Sequence, residues 1–194
     1  RLRRESGRPA RERDATAMLT DHDDLPLGVV DDDQLRLLFL CCHPALALDT
    51  RVPLTLRLVS GLTTAQIAAA LLVDERALAQ RITRAKTKIR HANIPLRVPP
   101  AELLPERTPH VLSCIYSVFT EGYWSTGGPS AIRDELCDEG VRLSTELCTL
   151  MPTELDAHAL AALVLLHDSR RSTRVDESGA LVPLDEQERA RWDL

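Results

Sequence analysis

Residues 61–89 read GLTTAQIAAALLVDERALAQRITRAKTKI, and the fold turns on whether this stretch forms two helices joined by a tight turn. Each helix has a physical start. Thr63 or Thr64 caps the first, and Asp74 caps the second through its side-chain oxygen. The first helix, about Ala65 to Leu72, gathers Ile67, Ala68, Leu71 and Leu72 on one side of a 3.6-residue period. The second, about Glu75 to Arg90, places Leu78, Ile82, Ala85 and Ile89 in a single buried stripe. Opposite that stripe stand Arg76, Gln80, Thr83, Arg84 and Thr87, with Arg81 and Lys88 on one flank and Lys86 on the other.

This is the layout of a helix-turn-helix. An α-helix fits the DNA major groove, where Arg makes paired hydrogen bonds to guanine and Gln to adenine. Arg90 and the flanking cations suit phosphates, which supply affinity and register but little sequence information. Asp74 and Glu75 belong to the cap and first turn, where the helix dipole stabilises acids. The same pattern also fits a solvated basic face on an all-α bundle, so the surroundings have to decide.

The net charge is −5 over 194 residues, yet six cations face two acids from Asp74 to Arg90, so the positive potential is local. Aromatic residues make up only 3% of the chain, which disfavours base stacking on aromatic platforms and leaves duplex DNA as the expected partner. No apolar run approaches the ~20 residues that span a bilayer, and no charged-then-apolar leader opens the chain, so a cytoplasmic protein without a membrane partner is expected. The chain opens RLRRESGR without a methionine, as expected of a fragment or processed product.

Upstream, residues 1–30 are charged and lack apolar periodicity, and read as a linker. Asp31 to Cys42 switches to a helix carrying Leu35, Leu37, Leu38, Phe39 and Leu40. The next helix, capped by Asp49 or Thr50, carries Val52, Leu54, Leu56, Leu58 and Val59 and is stopped by Gly61. Residues 31–92 thus form a four-helix bundle. Cys41, Cys42 and His43 lack the second ligand pair of a tetrahedral metal set, so core packing is the reading, with no metal and no cofactor. The five cysteines suit buried reduced thiols rather than a disulfide framework.

Downstream, Asn93 to Pro109 holds five prolines and reads as a stiff extended connector between two domains. Residues 110–194 read as mainly helical. One helix carries Val111, Leu112, Ile115, Val118 and Phe119 and closes at Gly127-Gly128-Pro129; a second is capped by Ser130; a third opens at Pro152-Thr153. Residues 173–184 alternate as a small hairpin would, and Asp185 caps a last short helix ending at Trp192. His167-Asp168 fits a helix C-terminus better than half of a catalytic triad, and no nucleophile motif accompanies it, so no enzyme is expected.

The bundle DDDQLRLLFLCCHPAL, followed by RVPLTLRLVSGLTTAQIAAALLVDERALAQRITRAKTKIR, resembles region four of extracytoplasmic-function sigma factors. The group with an extra C-terminal domain is the nearest likeness, carried by VLSCIYSVFTEGYWSTGG and the stretch from LCDEGVRLSTEL to the end. The resemblance implies a promoter-specificity subunit of RNA polymerase. Its first helices would dock on the flap of the polymerase β subunit, with Leu37, Leu38 and Leu40 serving either that contact or the core. The second helix of the pair would read the upstream (−35) promoter element. On this sequence the implied readers are Arg76, Gln80, Arg81 and Arg84, with Lys88 beside them, and Thr63 and Thr64 meet the phosphate backbone. Region two is not recognisable, residues 1–30 resemble its trailing linker, and the C-terminal extension would be regulatory, contacting region four, region two, polymerase or a regulatory protein. The competing reading is a helical protein-interaction or ligand-binding module without direct DNA readout.

Overall fold

The computed structural model describes residues 33–95, 97–125 and 131–193. The linker reading of residues 1–30, the Gly127-Gly128-Pro129 turn and the Ser130 cap lie outside the described residues. From residue 33 onward the chain falls within one compact unit. Seven α-helices are described: α1 (Asp33–Cys41), α2 (Leu48–Leu58), α3 (Thr64–Ala70), α4 (Glu75–His91), α5 (Leu104–Tyr123), α6 (Asp134–Leu150) and α7 (Leu155–Asp168). Short 3-10 turns stand at Ala101–Leu103, Arg171–Thr173 and Arg189–Arg191. No strand occurs among the described residues, and the expected hairpin over 173–184 reduces to an isolated antiparallel bridge between Val175 and Leu181. The fold is all-α.

The centre of the molecule is α2. Thr50, Arg51, Pro53, Leu54, Thr55 and Leu56 are all buried, because the helix packs against α1, α3, α4 and α5. Around it, Leu54, Leu56, Leu62, Ile67, Leu78, Ile82 and Ala85 join Val118 of α5 and Leu136 of α6 in one apolar cluster. The expected stripe of α4 is therefore real, with Ile89 half-buried at its end. A second cluster, Phe119, Tyr123, Ile132, Cys137 and Val164, knits α5, α6 and α7. Close approach of α5 and α6 rests on Gly140, where a Cβ would stand 2.7 Å from the Phe119 Cβ.

Local chemistry accounts for the ends. Thr63 caps α3 in a reciprocal box: its Oγ1 accepts from the Gln66 N–H at 3.2 Å, while its own N–H donates to Gln66 Oε1 at 2.8 Å. Asp74 Oδ1 accepts from the Ala77 N–H at 2.8 Å and caps α4. Both α3 and α4 close in the same manner. The Val73 N–H reaches Ala68 O and the Leu72 N–H reaches Ala69 O, just as Ile94 reaches Ile89 O and Asn93 reaches Arg90 O. These are Schellman closures, and their left-handed residues are Leu72 (φ 53°) and Asn93 (φ 47°).

Several sequence expectations are corrected. Leu72 does not extend the apolar face of α3; it lies past the helix end and is 93% exposed. α2 begins at Leu48 after Ala47, which makes no side-chain cap, so Asp49 and Thr50 lie in its first turn instead. The segment 93–109 is not extended throughout: α5 starts at Leu104, with Pro105 in the first turn, where a proline's missing N–H has no intrahelical partner to lose. α7 starts at Leu155 after Glu154 rather than at Pro152-Thr153. The last helix expected after Asp185 is only the 3-10 turn Arg189–Arg191.

Candidate nucleic-acid interface

The turn between α3 and α4 is fixed by local caps and one side-chain tie. Caps at Thr63 and Asp74 set where each helix begins, and the Arg57 guanidinium donates to Leu62 O at 2.7 Å, tying the end of α2 to the approach to α3. Gly61, with φ +66°, makes the bend between them. With Leu78, Ile82 and Ala85 pinned in the core, the opposite side of α4 faces outward.

That outer side carries a ridge. Arg76, Gln80, Arg84 and Lys88 are all exposed and recur every four residues, so they run along one side of the helix over about 18 Å at 1.5 Å per residue. A major groove is about 12 Å wide. The ridge is thus longer than the groove is wide. Thr83 and Thr87 lie beside the ridge and are exposed too, the Thr83 hydroxyl donating to Ala79 O at 2.8 Å. Lys88 and Arg90 place two cations in the last turn, beside His91, where the helix dipole stabilises positive charge.

Other expected site residues are placed differently. Arg81 is half-buried and its guanidinium stands 3.6 Å from the Asp49 carboxylate of α2, so it has a protein partner that sequence reasoning did not foresee. An exposed pair of this kind is worth about 0–1 kcal/mol and can be exchanged for a phosphate. Thr63 is exposed, but its hydroxyl is engaged as the cap, and Thr64 beside it is half-buried. Gln66 completes that cap and was also missed, although its spacing from Thr63, a Thr-x-x-Gln pattern, is the sequence signal for a capping box.

The remaining candidates sit away from this face. Leu38 and Leu40 are buried and Leu37 is half-buried, which assigns the first two to the core. His167 closes α7, with its Nδ1 2.9 Å from the Arg170 guanidinium and its ring edge-on to Tyr123 at 5.4 Å. Burial, with Arg170 and Arg174 nearby, lowers its pKa. Asp168 pairs with Arg171, which also bridges Asp134 and Asp138 of α6. Among the described residues, no group of three His, Cys, Asp or Glu side chains is arranged to hold a metal, and no helix is long and apolar enough to cross a membrane.

Comparison with known proteins divides the chain in two. Residues 36–89 match the family described as sigma-70, region 4, and residues 107–194 match a family of unknown function. A Rhizobium meliloti (strain 1021) protein, described as uncharacterized, is 44% identical over 200 residues, covering 99% of this chain and 46% of its own length. The chain therefore spans about half the length of that relative. No solved structure matches the chain. Residues 36–89, with their capped turn and exposed basic ridge, thus carry the likeness to region 4 of the sigma-70 family of transcription initiation factors.

Proposed function

We propose that this chain is the promoter-reading and polymerase-docking part of a cytoplasmic sigma factor of the extracytoplasmic-function type, with residues 31–92 reading DNA and residues 110–194 serving as a regulatory extension. The observation that carries the reading is the ridge Arg76, Gln80, Arg84 and Lys88, exposed on a helix whose opposite stripe is buried and whose start is capped. On this reading α4 enters the major groove at the −35 element. Arg76, Gln80 and Arg84 contact base edges, and Lys88 meets phosphate. Arg81 joins the readers by exchanging Asp49 for DNA, and the Thr63–Thr64 end of α3 approaches the backbone. The β flap of polymerase is the protein partner. The chemistry is recognition, and no catalytic step is assigned.

The extension is read as regulatory because Val118 and Leu136 share a core with α4, so a change in α5 or α6 reaches the reading helix through packed side chains. A region two elsewhere in the polypeptide, or a separate regulatory protein, is the proposed source of such a change. A second reading, an interaction module without base readout, draws on the exposed Leu155, Leu163, Leu165 and Leu166 of α7.

The deciding experiment selects duplexes from a randomised pool with the intact chain, alone and with polymerase core, across a salt series. Promoter reading predicts an enriched short motif, affinity falling steeply as salt rises, and a loss of about 1–3 kcal/mol of discrimination in each of Arg84→Ala and Gln80→Ala. Failure to enrich any motif under either condition, with both variants indistinguishable from the parent, would leave the interaction-module reading standing.

A further inference from the structure

Three cysteines converge where α1 ends against α2 and α5. Cys42, just past α1, donates its thiol hydrogen to the Cys114 sulfur of α5 across 3.6 Å. The Thr55 hydroxyl of α2 donates to the same sulfur at 3.4 Å. Cys41 lies alongside, and all three thiols are buried and unbridged. Arg51, itself only 7% exposed, is held beside them by hydrogen bonds from its Nε and a terminal nitrogen to Leu46 O. The Cys114 sulfur therefore receives two hydrogen bonds and a nearby positive charge, all of which favour a thiolate.

The other cysteines are in the opposite condition. The hydrogen bond from Cys42, helped by Thr55 and Arg51, lowers the Cys114 pKa despite burial, whereas that same bond and burial raise Cys42. Burial raises Cys41 and Cys148, and pushes Cys137 up to about 12. The Cys114 sulfur accepts two hydrogen bonds, and the Cys42 sulfur lies in contact with it.

We propose that Cys42 and Cys114 form an oxidisable dithiol site whose substrate is a small hydroperoxide and whose product is a disulfide joining the end of α1 to α5. The Cys114 thiolate attacks one peroxide oxygen, the O–O bond breaks, and the other oxygen leaves as an alcohol or water after taking a proton. The Cys42 sulfur then attacks the sulfenic sulfur; the S–S bond forms, the S–O bond breaks, and hydroxide leaves as water with the Cys42 proton. Two thiols and one hydroperoxide give one disulfide, one alcohol or water, and one further water. The sulfurs stand 3.6 Å apart and must close to about 2.05 Å to bond. Cys42 and Cys114 are 0% and 1% exposed, so the oxidant has to be small and neutral and to enter by local opening of the fold.

The test treats the intact chain with limiting hydrogen peroxide, alkylates remaining thiols under denaturing conditions, and measures intact mass and a non-reducing peptide map. The expected result is loss of two of the five thiols, a linked peptide pair containing Cys42 and Cys114, and full reversal by dithiothreitol. Cys137→Ser and Cys148→Ser keep the link; Cys42→Ser and Cys114→Ser, checked for native circular dichroism, lose it. A link that maps to any other pair, or five alkylatable thiols after peroxide, overturns the proposal. The parent peptide map decides the matter even where a variant fails to fold.

Discussion

Leu72 stores measurable strain, and replacing it with asparagine is predicted to stabilise the protein. The residue occupies the left-handed position of the Schellman closure after α3, with φ 53°. A side chain with a Cβ pays about 1–2 kcal/mol to adopt that conformation, and asparagine tolerates it far better. The compensating loss is small: with Leu72 93% exposed, the apolar contact given up is worth about 0.3 kcal/mol at ~25 cal/mol per Å². Both backbone hydrogen bonds of the turn, to Ala68 and Ala69, remain available to asparagine. Leu72→Asn should therefore gain about 1 kcal/mol, seen as a rise of about 2–4 °C in Tm or an increased urea midpoint at unchanged slope. The end of α4 supplies the reciprocal test, because Asn93 occupies the equivalent position with φ 47°. Asn93→Leu should lose about 1 kcal/mol for the same reason. A Leu72→Asn protein no more stable than its parent, alongside an Asn93→Leu protein of unchanged stability, refutes the reasoning, since the strain would then be absent from both turns.

Gly140→Ala is expected to destabilise the chain by about 1–2 kcal/mol in chemical denaturation: the added Cβ meets the Phe119 Cβ at 2.7 Å and Cα at 3.0 Å, an overpacking cost that exceeds the alanine's helix propensity. The same variant tests regulation by the extension, which predicts a changed affinity for the enriched duplex under conditions where the fold is retained; unchanged affinity removes the regulatory reading. Acidification should weaken the fold above the range where carboxylates titrate. Burial, together with neighbouring arginines, lowers the pKa of His43, His110 and His167 from 6.5, so the unfolded chain binds more protons; stability is full above about pH 6.5 and is lost as pH falls through the folded values. A urea midpoint that stays constant from neutral pH down to about pH 5 contradicts this, and His167→Gln should flatten the slope.

How much of this was legible beforehand depended on whether the deciding interaction was local. Asp74, and the stripe Leu78, Ile82 and Ala85, follow from spacing along a single helix, and the structure agrees with them. Asp49 shows the limit. An acid is equally at home as an N-cap and in the first turn, and only the fold brings Asp49 to Arg81. Leu72 failed for a different reason: its spacing matched the apolar face of α3, but the helix closed two residues earlier. Pro105 falls in a proline-rich stretch whose composition points to extended chain, yet the first turn of a helix accepts a proline. The alternation over 173–184 was visible, but a single bridge does not make a strand. The meeting of Cys42 with Cys114, and of Val118 with the core beneath α4, spans long stretches of chain and leaves no periodic trace in the sequence.

The shared core changes what deletion of the extension would mean. A helical unit of about 60 residues buries a modest fraction of its surface and is marginal by itself. Here the core beneath α4 is completed by Val118 and Leu136, both fully or nearly fully buried and both supplied by the extension. Burying two such side chains contributes about 3–6 kcal/mol, against a net stability of about 5–15 kcal/mol for a typical domain. On the other side of the same hub, Thr55 of α2 is bonded to Cys114 of α5. The extension is thus part of the platform on which α4 stands, and its removal perturbs the fold before it can report on regulation. Point changes that retain the extension, such as Gly140→Ala, which shifts α6 against α5 without removing either, or substitutions at the Cys42–Cys114 pair, separate the two effects where a truncation merges them.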